Sequence, residues 1–404
     1  MKKYLIIAAA AAVALASCAK VETYKISEND GEMPIAFSNY APKSLTKADG
    51  SYVASTTLVN NKKFGVYSYA TANGTAFATS SAGALGTRFM DDVAVTYTTG
   101  GDSDATKNTY SPLRYWPSGD TPDWLTFWAY YPVQADNGIS YTEPDGSNDL
   151  GVFAFTAAAT PAAMVDFMVA DVVNDKIYGE AAGDHIAVNG IVPLTFKHQL
   201  TKIAIKIKTD NEDELTNVVL TDVKVYNVKT KGNLEAEYAT GTTTTTWADQ
   251  AIEGTPKVYD VTKNGADFSN EVLTTTAVGG ADADLFLMVP QTMVVPTFST
   301  TPNIPANLSN TPQYILVEWD VKAYDTAAHA TANGAEGLLS TTHNTQAIYL
   351  DNVVVKNSSD AVVSNDWAKN QFTTYTITVG PKPIRFTAVA VAWDDETFGN
   401  VTVR

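Results

Sequence analysis

The chain has 404 residues, 44 of them acidic and 27 basic, for a formal net charge of −17. That surplus of carboxylates argues against nucleic acid and anionic lipid surfaces as partners, and it suits a soluble face outside a cell. Cys18 is the only cysteine, which excludes an intrachain disulfide and a cysteine-based metal centre and leaves burial to supply stability.

The chain opens with Lys2 and Lys3, then an apolar run from Tyr4 to Leu15. A membrane span takes about 20 apolar residues, so this run is too short and reads as an export leader over residues 1–17. Leu15-Ala16-Ser17-Cys18 closes it as a bacterial lipoprotein leader closes, with Cys18 as the lipidated first residue of the mature chain. The bland alternative is an ordinary secretory leader that happens to contain a small thiol. Residues 18–47 then form a propeptide. Within it Pro34–Tyr40 (PIAFSNY) alternates as a short strand, with Ile35 and Phe37 on one face. The polar stretch Ala41–Gly50 reads as exposed and cleavable. An exported, lipid-anchored chain whose first strand can be cut away is a starting point for assembly by strand exchange.

After the leader, helical periodicity is nearly absent. Short alternating runs rich in Thr, Val and Tyr recur between Gly, Asn, Asp and Ser clusters, which predicts an all-β protein built as sandwiches. Residues 48–189 read as a first domain, with strands at Phe64–Tyr69, Leu125–Tyr131, Val152–Phe155 and Phe167–Ala170. In the densest of these, Trp124, Trp128 and Tyr130 face one way and Leu125, Phe127 and Tyr131 the other. Bulk on both faces predicts a central strand. Its rings read either as a platform for stacking sugars or as sandwich core, and core is favoured because large aromatics dominate burial.

Residues 190–404 read as a second domain. Leu194, Phe196, His198 and Leu200 share one parity and Ile203, Ile205 and Ile207 the other, so a bulge or bend is expected near Thr201. Further strands are predicted at Val218–Val225, Leu285–Val289, Tyr314–Tyr324, Ala347–Val355 and Tyr375–Val379, whereas the threonine run Thr242–Thr246 reads as a loop. In Tyr314–Tyr324, Ile315, Val317, Trp319 and Val321 point inward while Glu318, Asp320 and Lys322 point out. Ile384–Trp393 is apolar at both parities, as in a strand covered on both faces. The closing segment Phe398–Arg404 alternates Val401 and Val403 around Thr402, a tail that asks for a partner.

Catalytic patterns are not found. There is no glycine-rich phosphate loop, nucleophile elbow or zinc-protease helix, and no cofactor is expected. His185, His198, His329 and His343 lack metal-ligand spacing, and His198 reads as a packed strand residue. Glu318 and Asp320 share an outward face, where alternation with Lys is the mark of solvated carboxylates and not of a glycosidase pair. Asp325-Thr326-Ala327 matches a short bacterial O-glycosylation pattern that three residues meet too easily to weigh much. The chain is therefore read as a non-enzyme.

Several pieces resemble, in family order, the Mfa-like fimbrillins of Bacteroidales. They are the lipobox at Cys18, the early Ile35-x-Phe37 strand, Tyr115-Trp116-Pro117, Leu125–Pro132, Asp166–Ala170, Phe196–Lys202, Leu287–Gln291, Tyr375–Ile377 and Val389–Trp393. The resemblance implies two transthyretin-like β-sandwich domains behind a lipoprotein signal peptide. It also implies transfer to the outer membrane and trypsin-like cleavage behind the first strand. The emptied groove would then take a neighbouring subunit's C-terminal strand, with Phe398, Val401 and Val403 as the donor residues here. Known members are cut after Arg, yet the first Arg is Arg88; Lys47, before Ala48, is the nearest fitting site and Lys43 the next. If Arg is required, the chain stays uncut as an anchor, a cap or an unpolymerised surface lipoprotein that binds glycan or host protein. The acidic export signal that often follows the lipidated cysteine is faint, with Glu22 the near acid.

Overall fold

The structure, a computed structural model, describes residues 33–39, 61–78, 85–98, 100–101, 105–133, 139–144, 150–178, 187, 190–239, 241–252, 258–300, 304–357, 359–380 and 385–392. Cys18, Lys47, Ala48, Phe398, Val401 and Val403 lie outside these residues.

The all-β expectation is met. In chain order, β1 (Ala36–Asn39) precedes the antiparallel pair β2 (Lys63–Thr71) and β3 (Thr87–Thr96). β4 (Trp124–Tyr131) pairs with the other edge of β2. β5 (Ile139–Thr142) and β6 (Val152–Thr156) pair antiparallel at one edge of another, four-stranded sheet, and β7 (Met168–Ala170) and β8 (Val173–Lys176) both return to β4. β9 (Ile191–Leu194) runs parallel to β1, and β10 (Phe196–His198) runs antiparallel to β7. The main sheet thus has the order β10-β7-β4-β2-β3.

β4 is central, as its two bulky faces predict. Phe127, Leu125 and Tyr131 enter one core together with Ile35 and Phe37, whereas Trp128 and Tyr130 enter the other. Trp128 stacks on Tyr69 with ring centroids 5.5 Å apart and planes 6° from parallel. These rings are core and not a sugar platform, because β1 and β9 cover one face of the sheet and the β5–β6 pair covers the other.

The second half starts with β11 (Thr201–Thr209) and β12 (Thr216–Tyr226), then the hairpin β13 (Lys231–Ala239) and β14 (Thr242–Ala251). β11 lies between Phe286–Met288 and Gln371–Val379, and the strand Arg385–Ala392 follows in the same sheet. The facing sheet orders Val258–Asp260, β12, Tyr314–Tyr324 and Leu338–Tyr349. Ile203, Ile205, Val223, Val317 and Tyr375 meet between these sheets, each buried. The parity switch near Thr201 marks a change of sheet: β10 ends at His198 beside β7, and β11 starts at Thr201 beside Gln371. His198 is packed as expected, its Nδ1 2.6 Å from the Asp166 carboxylate.

Two readings are corrected. Thr242–Thr246 is strand, not loop. Its β-branched side chains suit a pleated surface, and alternate ones are buried and bonded: Thr243 Oγ1 donates to Ala170 O (3.1 Å) and Thr245 Oγ1 to Gln199 Oε1 (2.7 Å). Ala347–Val355 is not one strand, since a 3₁₀ turn at Leu350–Asn352 ends Leu338–Tyr349 and tucks Leu350 into the core. Sheet pairing also crosses residue 189: β9 and β10 join strands of the first half, and β13 pairs with β6.

Helix α1 (Ala327–Ala332) is short and relies on its ends. Thr326 Oγ1 accepts from His329 N at 3.3 Å, and the exposed His329 ring meets Asp325 at 2.5 Å. The bond to Asp325 raises the His329 pKa. Stability from this pair is therefore fully present below the unfolded histidine's pKa, about 6.5, and is lost as pH rises through the folded value. An NMR titration should place the His329 midpoint above that of a free histidine, and Asp325→Asn should bring it down.

Candidate functional site

The strand that the sequence singles out is seated in a groove of its own. Ile35 and Phe37 are 1% and 0% exposed. The Phe37 ring sits among Phe64, Tyr110 and Phe127 at centroid distances of 6.4, 5.6 and 6.0 Å. Fully burying two such side chains favours the seated strand by roughly 1.5–3 kcal/mol each.

Backbone pairing is slighter than this burial. β1 contributes only four residues, in a parallel ladder against Ile191–Leu194, and Pro193 of that partner has no N–H to give. Among the described residues, the other edge of β1 meets no long strand. It is held by residues 108–116, which approach β1 after the turn Ala105–Lys107. Arg114 O accepts from Ile35 N (2.9 Å), and Trp116 N donates to Met33 O (3.0 Å). Tyr110 Oη donates to Ile35 O at 2.9 Å, and Asn108 Nδ2 donates to Phe37 O at 2.9 Å.

Both side chains are fixed in place. Asn108 accepts from Thr98 N through Oδ1 (3.3 Å) and gives a second bond to Gly101 O (3.1 Å). Tyr110 Oη also accepts from Arg114 N at 3.3 Å. Burial pushes the Tyr110 hydroxyl up to about 12, so it remains a protonated donor at any physiological pH. Tyr110→Phe should cost about 1–2 kcal/mol, since it removes the bonds to Ile35 O and from Arg114 N and orphans the Ile35 carbonyl; denaturant titration measures this, and a cost near zero would show that the clamp carries no weight.

Gly190 closes the end of the groove. Its φ of 69° favours glycine, its carbonyl accepts from Trp116 Nε1 (3.0 Å), and an added Cβ would lie 2.6 Å from the Met33 side chain. Asn108, Tyr110 and Gly190 carry no sequence motif, and sequence reasoning missed them.

The remaining expected residues divide clearly. The strand Arg385–Ala392, which precedes the proposed donor tail, is paired on both sides, with Ala388 and Ala390 buried. Arg88 is no substitute for the Lys47 cleavage position: it lies within β3, where its guanidinium bonds Asp91 (3.1 Å) and Glu143. Glu318 and Asp320 are half-buried on the outer side of their strand, and Asp320 bonds His343 at 2.9 Å. No group of three or more metal-ligating side chains exists among the described residues.

A family model described as "Fimbrillin-like" matches residues 46–403. Among solved structures, a fimbrial protein of Bacteroides vulgatus ATCC 8482 aligns with a TM-score of 0.56 at 17% identity, covering 89% of this chain and 99% of that one. That likeness is one of fold. A proposed cell-adhesion protein of Bacteroides uniformis ATCC 8492 aligns at 0.44 and 15% identity over 91% of this chain and 100% of that one. A fimbrilin of Porphyromonas gingivalis W83 aligns at 0.36 and 10% identity over 89% and 96%. No curated protein sequence matches.

Proposed function

The chain belongs to the fimbrillin-like family, and from that premise we propose that it is a structural subunit, stalk or tip, of a cell-surface fimbria that polymerises by strand exchange. The observation that carries this reading is the seating of β1: buried through Ile35 and Phe37, yet tied to one strand by a four-residue ladder. A segment bound by alternating pockets and a short ladder is one that an equivalent strand can replace. In this reading the precursor is exported as a lipoprotein and held at the outer membrane through Cys18, each buried lipid methylene adding about 0.8 kcal/mol. Cleavage between Lys47 and Ala48 frees the first strand, and a neighbouring subunit's tail, with Phe398, Val401 and Val403 facing the groove, takes its place. The partners are other fimbrillin subunits, and no catalytic role is assigned.

A second reading follows from the lack of any arginine before Arg88. Left uncut, the chain serves as an anchored surface lipoprotein that contacts glycan or host protein. N-terminal sequencing of protein recovered from the cell surface separates the two. A start at Ala48 supports the polymerising subunit, and a lipidated start at Cys18 supports the anchored form.

A further inference from the structure

We infer that the groove beneath β1 reads the direction and side-chain pattern of whatever strand fills it, accepting one that runs parallel to β9 with a large aliphatic residue followed two positions later by an aromatic one. This rests on the strand-exchange reading, because only a groove that can be vacated has anything to select.

Direction is set by the edge opposite β9. Ile35 gives its N–H to Arg114 O and receives Tyr110 Oη at its own carbonyl, both at 2.9 Å. An acceptor followed by a donor along the groove fits N–H before C=O. A strand entering the other way presents the two groups in the opposite order. The second donor, Asn108 Nδ2, meets the carbonyl of Phe37, two residues on, where the chain again presents the same edge. Asn108 is buried and held by Thr98 N and Gly101 O, so its Nδ2 stays a donor toward the groove, and Tyr110 Oη already accepts from Arg114 N while it donates to the Ile35 carbonyl.

Pattern is set by the pockets. The site of Phe37 is walled by the Phe64, Tyr110 and Phe127 rings, two of them tilted edge-on toward it, an arrangement that favours an aromatic occupant beyond its area alone. A β-branched residue there leaves the ring space unfilled, and unfilled core space is costly. The chain's own closing segment offers Val401 and Val403 at alternate positions. It fits the aliphatic site and underfills the aromatic one, so a strand with an aromatic residue in the second position, from a different subunit, binds better.

The test uses the full chain cut once behind Lys47, held below its unfolding midpoint in denaturant with labelled peptides. The peptides are MPIAFSNY, the same with Phe37→Val or Phe37→Ala, its reversed sequence, and FGNVTVR. The expected order of incorporation is MPIAFSNY first, then Phe37→Val and FGNVTVR. Phe37→Ala should be weaker than MPIAFSNY on the order of a hundredfold, and the reversed peptide excluded. Tyr110→Phe in the protein should weaken MPIAFSNY about tenfold, in line with one lost hydrogen bond. Equal entry of all peptides overturns the inference and leaves exchange intact. Entry of none, MPIAFSNY included, overturns exchange itself.

Discussion

Replacing Phe37 by alanine lowers the unfolding free energy by about 3–5 kcal/mol, the range for deleting a buried aromatic ring. The ring is fully enclosed and touches three other rings, and the walls around it belong to different elements: Phe64 on β2, Phe127 on β4, and Tyr110 beside β1. Such a cavity cannot close without moving the main sheet. Ser38, half-buried on the opposite parity, supplies the control: Ser38→Ala should change stability by less than about 0.5 kcal/mol. Denaturant titration of both variants decides the matter. A Phe37→Ala cost below about 1 kcal/mol would mean that β1 is a surface ornament and not part of the core.

Asp284→Ala has the next largest effect, a loss of roughly 3 kcal/mol, comparable with the value of one or two charge-assisted hydrogen bonds. Asp284 is buried and accepts from Thr262 Oγ1 (2.8 Å), Asn264 N (3.0 Å), Gly265 N (2.8 Å) and Ala281 N (3.1 Å). Its carboxylate ties the left-handed turn at Asn264 and Gly265, with φ of 53° and 79°, to the segment that leads into Phe286–Met288. Without it three amides and a hydroxyl lose their acceptor at once. Asp284→Asn keeps one acceptor oxygen and should lose about half as much. Equal losses for the two variants would show that charge, and not the number of acceptors, matters at this position.

Much of the fold can be read from alternation. Tyr314–Tyr324 forms over the range its pattern predicts, and β4 is central because both its parities are bulky. The threonine run of β14 was obscured because low complexity resembles a loop, while a threonine's strand preference depends on a sheet being there to receive it. The parity switch at Thr201 is visible in sequence, but whether it marks a bulge or a crossing between sheets depends on partners more than a hundred residues away, such as Gln371. The same holds for pairing across residue 189: β13 finds β6 through long-range contact that no local pattern encodes. At the groove, Ile35 and Phe37 announce themselves by alternation. Asn108 and Tyr110 do not, since a polar residue that bonds another segment's backbone leaves no periodic trace.

In the proposed assembly, the segment around Ile35 and Phe37 is a removable occupant whose place another chain's strand takes. A single cut behind Lys47, followed by electrophoresis in detergent with and without heating, tests this. Loss of the leading fragment together with a heat-sensitive ladder of oligomers, absent when Phe398–Arg404 is deleted, is the result expected here. A fully cut protein that keeps its fragment bound and stays monomeric would contradict it.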